Sequence, residues 1–140
     1  MRRLAIGALV LLLAPLLLVP RPARAQGADP ARALVADGSD REIGPERADR
    51  VIALLGQGLR TPATARYGQL RAGRAGAFCG VVDTTNRMGN PVGPRRFVAD
   101  LAAGIAGLVP DGPELRNPAM PQDYAALQRI LALYAANCAP

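Results

Sequence analysis

The side chains best able to do chemistry gather between Asp83 and Arg96, where Asp83, Asn86, Arg87, Asn90, Arg95 and Arg96 bring carboxylate, amide and guanidinium groups onto one short stretch. Arginine carries a planar fork of donors that matches carboxylates and phosphates. The chemistry this suggests is binding of an envelope protein or an anionic ligand. The alternative is a solvated hairpin whose Asn and Gly residues make the turn and whose arginines pair with nearby acids. On a strand, Arg95 and Arg96 point to opposite faces, so only one of them can share a face with a ligand. Met88, at the tip, is either a partner contact or a cover for the core.

Catalytic options are narrow. The chain has no histidine and no lysine, and its one serine is Ser39. Nucleophilic systems that need a histidine or lysine base cannot be assembled, and Schiff-base chemistry lacks its amine. A zinc site would rest on two thiolates and carboxylates without imidazole. Glycines 73, 76, 80 and 89 have neither the lysine nor the spacing of a phosphate-cradling loop. No cofactor and no metal are therefore expected. Carboxylate-only chemistry, as in a small cell-wall hydrolase, is open because two acids suffice, and Asp83 and Asp100 are the acids in the strand-rich region. The competing reading has Asp83 capping a turn and Asp100 starting a helix.

The start of the chain reads as an address. Arg2 and Arg3 precede an apolar run from Leu4 to Val19, and Pro20 and Pro22 lead to Ala23-Arg24-Ala25, the small-residue pattern that signal peptidase accepts. A run interrupted by Pro15 and shorter than the roughly 20 residues that span a bilayer predicts cleavage after Ala25, leaving no membrane anchor. Arg2, Arg3, Arg21 and Arg24 leave with the signal, so the net charge of +6 falls to +2. With the arginines dispersed among acids and few aromatics between them, a nucleic-acid footprint is not expected. Every basic residue is Arg, a mark of codon usage more than of chemistry. Export to the periplasm or beyond places Cys79 and Cys138, the two cysteines, in an oxidising compartment where an even count argues for a bridge. Two buried free thiols are the alternative.

The elements that would position these groups can be read from periodicity. Residues 26–44, with few large apolar side chains, read as a flexible arm. Pro45 suits the first position of a helix, and Ala48, Val51, Ile52, Leu55 and Leu59 recur at helical spacing until about Gly56 to Gly58. Pro62 starts a further turn with Thr61 as its cap. Short strands are predicted over Tyr67 to Leu70, Ala77 to Asp83 and Arg95 to Ala99, the second containing Gly80, a sign of close backbone approach. Thr84 to Pro94 is turn chemistry, predicting a long-looped hairpin. Val98 to Val109 reads as either strand or helix, and Asp111 to Met120 as a connecting loop. From Pro121, residues Leu127, Leu131, Tyr134 and Cys138 fall on one helical face. The fold class expected is α+β: one small domain over residues 45–140, with a small antiparallel sheet of about three strands between an N-terminal and a C-terminal helix, held by one disulfide.

The segment from Phe78 through Val98 resembles small exported bacterial proteins, some of them phage-associated, that carry a Cys-Gly-x-Val-Asn-x-x-Asn-x-x-Gly core followed by Gly-Phe-x-x-Phe. Cys79-Gly80-Val81-Val82-Asp83 and Asn86 to Gly89 carry the likeness, which extends from about residue 46 to Cys138. Asp83 stands where Asn is usual, Asn90-Pro91 replaces a Gly-Tyr pair, and Pro94 replaces a Phe. The resemblance implies export and architecture, and it assigns no catalytic residue. Together these readings make the chain an exported noncatalytic binding or accessory protein of the bacterial envelope; a carboxylate-dependent hydrolase or a structural envelope component are the alternatives. Thiol titration of the denatured, unreduced protein should find no free thiol, and two free thiols would refute the bridge.

Overall fold

The computed structural model describes residues 34–86 and 88–140. The expected signal peptide, the first part of the expected arm (26–33) and Arg87 lie outside the described residues. A single turn, α1 (Asp40–Ile43), leads through Gly44 into α2 (Pro45–Gly56). Pro45 sits in the first turn, where its missing N–H has no intrahelical partner to lose, and Ala48, Val51, Ile52 and Leu55 form the buried stripe. Pro62–Thr64 makes a 3-10 turn as expected, but the Thr61 side chain does not cap it: its hydroxyl lies 3.3 Å from that of Thr85.

Four strands follow, β1 (Arg66–Ala72), β2 (Phe78–Thr85), β3 (Pro91–Asp100) and β4 (Ile105–Leu108), in an antiparallel sheet ordered β1-β2-β3-β4. The class is the one expected, with one strand more. The fourth comes from the stretch readable either way: Asp100 Oδ1 accepts from the Ala102 and Ala103 N–H groups at 2.9 and 3.0 Å, which turns the chain back instead of starting a helix. The β2–β3 connection is shorter than the composition of residues 84–94 implies, since β2 runs to Thr85 and β3 starts at Pro91. Two prolines fit in β3 because β4 pairs only with Phe97 to Asp100, so Pro91 and Pro94 lie where the strand has a neighbour on one side alone. Inside the expected loop Asp111 to Met120 lies a short helix, α3 (Gly112–Arg116), nucleated by a reciprocal capping box between Asp111 and Glu114. The C-terminal helix is α4 (Pro121–Asn137).

Strand alternation divides the core in two. Phe78, Val82, Phe97 and Ala99 face α2 together with Tyr67 and Leu70, whereas Cys79 and Val98 face α4 with Ile130 and Cys138. Gly80 pairs with Phe97 in register, and a Cβ there would lie 2.7 Å from the Phe97 ring, so the close approach read from the sequence is a place for an aromatic ring. On the other face the seam of α4 is the expected one at Tyr134 and Cys138 but not at Leu127 and Leu131. Ile130, Leu133 and Tyr134 pack on the sheet, and Cys138 lies just past the helix as its C-cap. The missing side chain of Gly107 selects Ile130, whose Cδ1 would be 2.9 Å from a Cβ at that position.

Cys79 and Cys138 are disulfide-bonded across 59 residues of chain. A loop of that length stabilises the fold by about 4 kcal/mol on the chain-entropy model. The bond fits an oxidising, non-cytoplasmic setting, and among the described residues no helix is long and apolar enough to cross a membrane. Beside it the buried Asn137 accepts from the Ala75 and Ala77 N–H groups at 2.8 and 3.1 Å through Oδ1, tying the β1–β2 turn to the end of α4.

The chain ahead of α2 is docked from Leu34 onward. Val35 bridges Tyr67, and the Ala36 N–H donates to the Tyr67 carbonyl at 2.9 Å. Between Gly68 and Arg71 the register with β2 shifts, and Gln69 takes a φ of 52°. Two N–H groups released there are collected by the docked segment: Gln69 donates to Asp37 Oδ2 at 2.6 Å and Leu70 to Ser39 Oγ at 2.9 Å, while the Ser39 hydroxyl donates to Asp37 Oδ1 at 2.6 Å. Low content of large apolar residues suggested mobility because it measures hydrophobic burial and not this polar docking. The Ser39 hydroxyl, and after it the Gln69 N–H, hold the Asp37 carboxyl below its ordinary pKa. Since the folded value is the lower one, this contribution is present above the ordinary carboxylate range and is lost as pH falls through the folded value, below about 4. Ser39→Ala should lower urea-unfolding stability by about 1–3 kcal/mol, because a buried N–H loses its acceptor; an unchanged midpoint would show that the docking is not cooperative with the sheet.

Candidate functional site

The sequence-predicted residues are placed on the β2–β3 hairpin, but they do not converge. Asn86 makes the turn: its Oδ1 accepts from the Met88 and Asn90 N–H groups at 2.9 and 3.0 Å, and its own N–H donates to the Asn90 carbonyl at 2.8 Å. Asn90 takes part through its backbone. Asp83 does not cap the turn; it lies within β2, in register with Arg66 and Pro94, with its Oδ1 buried and without a partner among the described residues. Arg95 is committed to structure, forking onto Glu114 at 3.1 and 2.8 Å and reaching the Val109 carbonyl at 3.0 Å, which clips α3 to β3. Arg96 lies on the opposite face, its guanidinium carbon 5.4 Å from the centre of the Tyr134 ring. Arg87 is outside the described residues, and Met88 at the tip is 82% exposed.

Asp83 and Asp100 do not form a catalytic pair. Asp83 is in register with Pro94, six residues from Asp100 along β3, or about 20 Å at roughly 3.3 Å per residue. Two-carboxylate glycosidases need their acids within about 10 Å of each other. Among the described residues, no group of three or more His, Cys, Asp or Glu side chains gathers where it could hold a metal ion.

A different concavity stands out on the α2 face of the sheet. Leu34, Ile52, Ala53, Pro62, Ala63 and Tyr67 line an open groove of about 630 Å³ between α2, the 3-10 turn and the docked segment. Its volume falls in the range of ligand pockets, about 300–1,000 Å³. Helix α2 creates the space because Ala53 and Gly56, one turn apart, put little bulk into the groove. That pair was the available signal in the sequence, and it is easily read as mere helix filler. Tyr67 is packed edge-on against Phe97, ring centres 6.2 Å apart at 86°. Its hydroxyl oxygen is buried and has no partner among the described residues.

Burial pushes the Tyr67 phenol above its ordinary pKa. The folded value being the higher, the neutral phenol contributes stability that is complete below about pH 10 and is lost as pH rises through the folded value. Tyr67→Phe should retain the ring packing, leave stability at neutral pH equal or higher by about 1 kcal/mol, and weaken the loss of stability above about pH 10. Chemical denaturation of both proteins at neutral and alkaline pH checks this; a loss of more than about 1 kcal/mol at neutral pH would mean that the hydroxyl has a partner.

Compared with protein-family models, curated proteins and solved structures, the chain matches none, and its site is read from its own geometry.

Proposed function

We propose that this chain is an exported, noncatalytic binding or accessory protein of the bacterial envelope, periplasmic or secreted, which receives an apolar group of its ligand or partner in the groove beneath α2. The observation that carries this reading is the groove itself: an open space of about 630 Å³ with Leu34, Ile52, Ala53, Pro62 and Ala63 around it and Gln57 and Tyr67 as its polar side chains. A mostly apolar lining with few polar groups is the usual composition of a site that gains affinity from burial. The signal-like start of the chain and the disulfide support export. The resemblance to small exported bacterial proteins points the same way. Asn86, Arg95 and Asp100 have structural partners, which shifts the binding reading away from the hairpin tip.

The exported protein should give saturable fluorescence with the uncharged apolar probe N-phenyl-1-naphthylamine, and Ala53→Trp, which fills the groove from an exposed position, should abolish it while leaving the thermal midpoint unchanged. No enhancement with the unmodified protein, or equal enhancement with the variant, would overturn the assignment. The same variant then serves as the control in a pull-down from envelope extract.

A further inference from the structure

The opposite face of the sheet holds a second, chemically different recess. Arg71 of β1 and Arg96 of β3 flank Val81 of β2, and with Gln69 and Tyr134 they line a space of about 60 Å³ beside Cys79. Val81 sits in register between Gly68 and Arg96, while Arg71 is one row further along, opposite Cys79. The two arginines are therefore rooted two strands apart, roughly 10 Å of sheet, and both reach over the strand between them. That is the spacing of a clamp.

Both guanidinium groups are held in place without being neutralised. Arg71 Nη2 donates to the Cys138 carbonyl at 2.9 Å, which uses one of its donors. Arg96 lies over Tyr134, its guanidinium carbon 5.4 Å from the ring centre, a cation–π contact that uses none of its N–H donors. Among the described residues no carboxylate pairs with either, in contrast to Arg95, the neighbouring arginine, which grips Glu114. Two acids share this face, Asp83, two residues beyond Val81, and Asp37, whose carboxylate takes the place of a side chain at Gly68 and is held by the Ser39 hydroxyl and the Gln69 N–H, and neither reaches Arg71 or Arg96. Among the described residues Arg71 and Arg96 thus stand without an ion-pair partner around a recess of about 60 Å³, with room for about two waters. A small oxyanion meets both requirements, charge and size.

We propose that Arg71 and Arg96 clamp an oxyanion, a carboxylate or a phosphate carried by a ligand or partner, in the recess above Val81. Fork-shaped donors on two strands bind such a group through charge-assisted hydrogen bonds, and the partly apolar walls, Val81 and Tyr134, raise their strength by limiting water. The proposal is independent of the apolar groove, which lies on the other face.

The test is an NMR titration of the exported, disulfide-bonded protein at low ionic strength, where screening is weak, with inorganic phosphate in one arm and acetyl-tetraglutamate amide in the other. Saturable shifts of the Gln69, Arg71, Val81 and Arg96 amides in either arm support the clamp, and the arm that saturates at lower concentration identifies the source of the oxyanion. Arg96→Gln and Arg71→Gln should each weaken binding at least tenfold, Arg71→Lys about threefold, and Arg129→Gln on exposed α4 not at all. Arg71→Gln also loses its bond to Cys138; Arg96 makes no such bond, so Arg96→Gln keeps the test clean if the first variant is less stable. No saturable shift in either arm, or unchanged binding by Arg96→Gln, would overturn it.

Discussion

The attachment of α4 depends on one covalent constraint. Within that helix the buried residues are Ile130 and Asn137, and a single buried aliphatic side chain contributes only about 2–3 kcal/mol by transfer from water. Fixing the rotamers and backbone of a seventeen-residue helix costs far more than that. The Cys79–Cys138 bond offsets part of this cost, about 4 kcal/mol, by keeping Cys138 near Cys79 even in the unfolded chain. Asn137 then converts proximity into register, since its side chain can satisfy the Ala75 and Ala77 N–H groups only when the last turn stands over the β1–β2 connection. Tyr134, one turn before the cysteine, is in consequence held under Arg96.

The two faces of the sheet are stabilised by different means. On the α2 face, apolar burial is ample: Tyr67, Leu70, Val82 and Phe97 are fully covered, and four residues of α2 join them. On the α4 face, a thin apolar seam is supplemented by a disulfide, an amide and an arginine bonded to a carbonyl. A surface that does not rely on hydrophobic closure can leave charged groups at its margin. That is where Arg71 and Arg96 stand.

How much of this could be read from the sequence depended on whether the signal was periodic or relational. The helix from Pro45, the strand around Gly80 and the pairing of Cys79 with Cys138 were legible, because each leaves a pattern in spacing or residue type. The docked segment was not, since Asp37 and Ser39 act on N–H groups thirty residues away that are freed only by a shift in strand register. The face of α4 was legible at Tyr134 and Cys138 but not further up the helix, for a related reason: Leu127 and Leu131 satisfy a helical period as well as Ile130 does, and the choice is made by the absence of a side chain at Gly107. Proline counts misled twice, once at β3, where one side of the strand is open, and once at Pro113, which begins α3. On the hairpin, Asn86 makes the turn and Arg95 clips α3 to β3, while the groove is opened by small residues that do no chemistry at all.

The docked segment at Val35 and Ala36 has a further effect on how the molecule behaves among its own copies. An exposed sheet border is a template for pairing with another strand. Here the β1 border is met at Tyr67 by the chain's own bridge. The β4 border is only four residues long and is followed by Pro110, which cannot donate to an incoming strand. The part of β3 that β4 leaves open carries Pro91 and Pro94, which have no N–H to donate, so each free margin of the sheet is interrupted by the chain's own bridge or by proline.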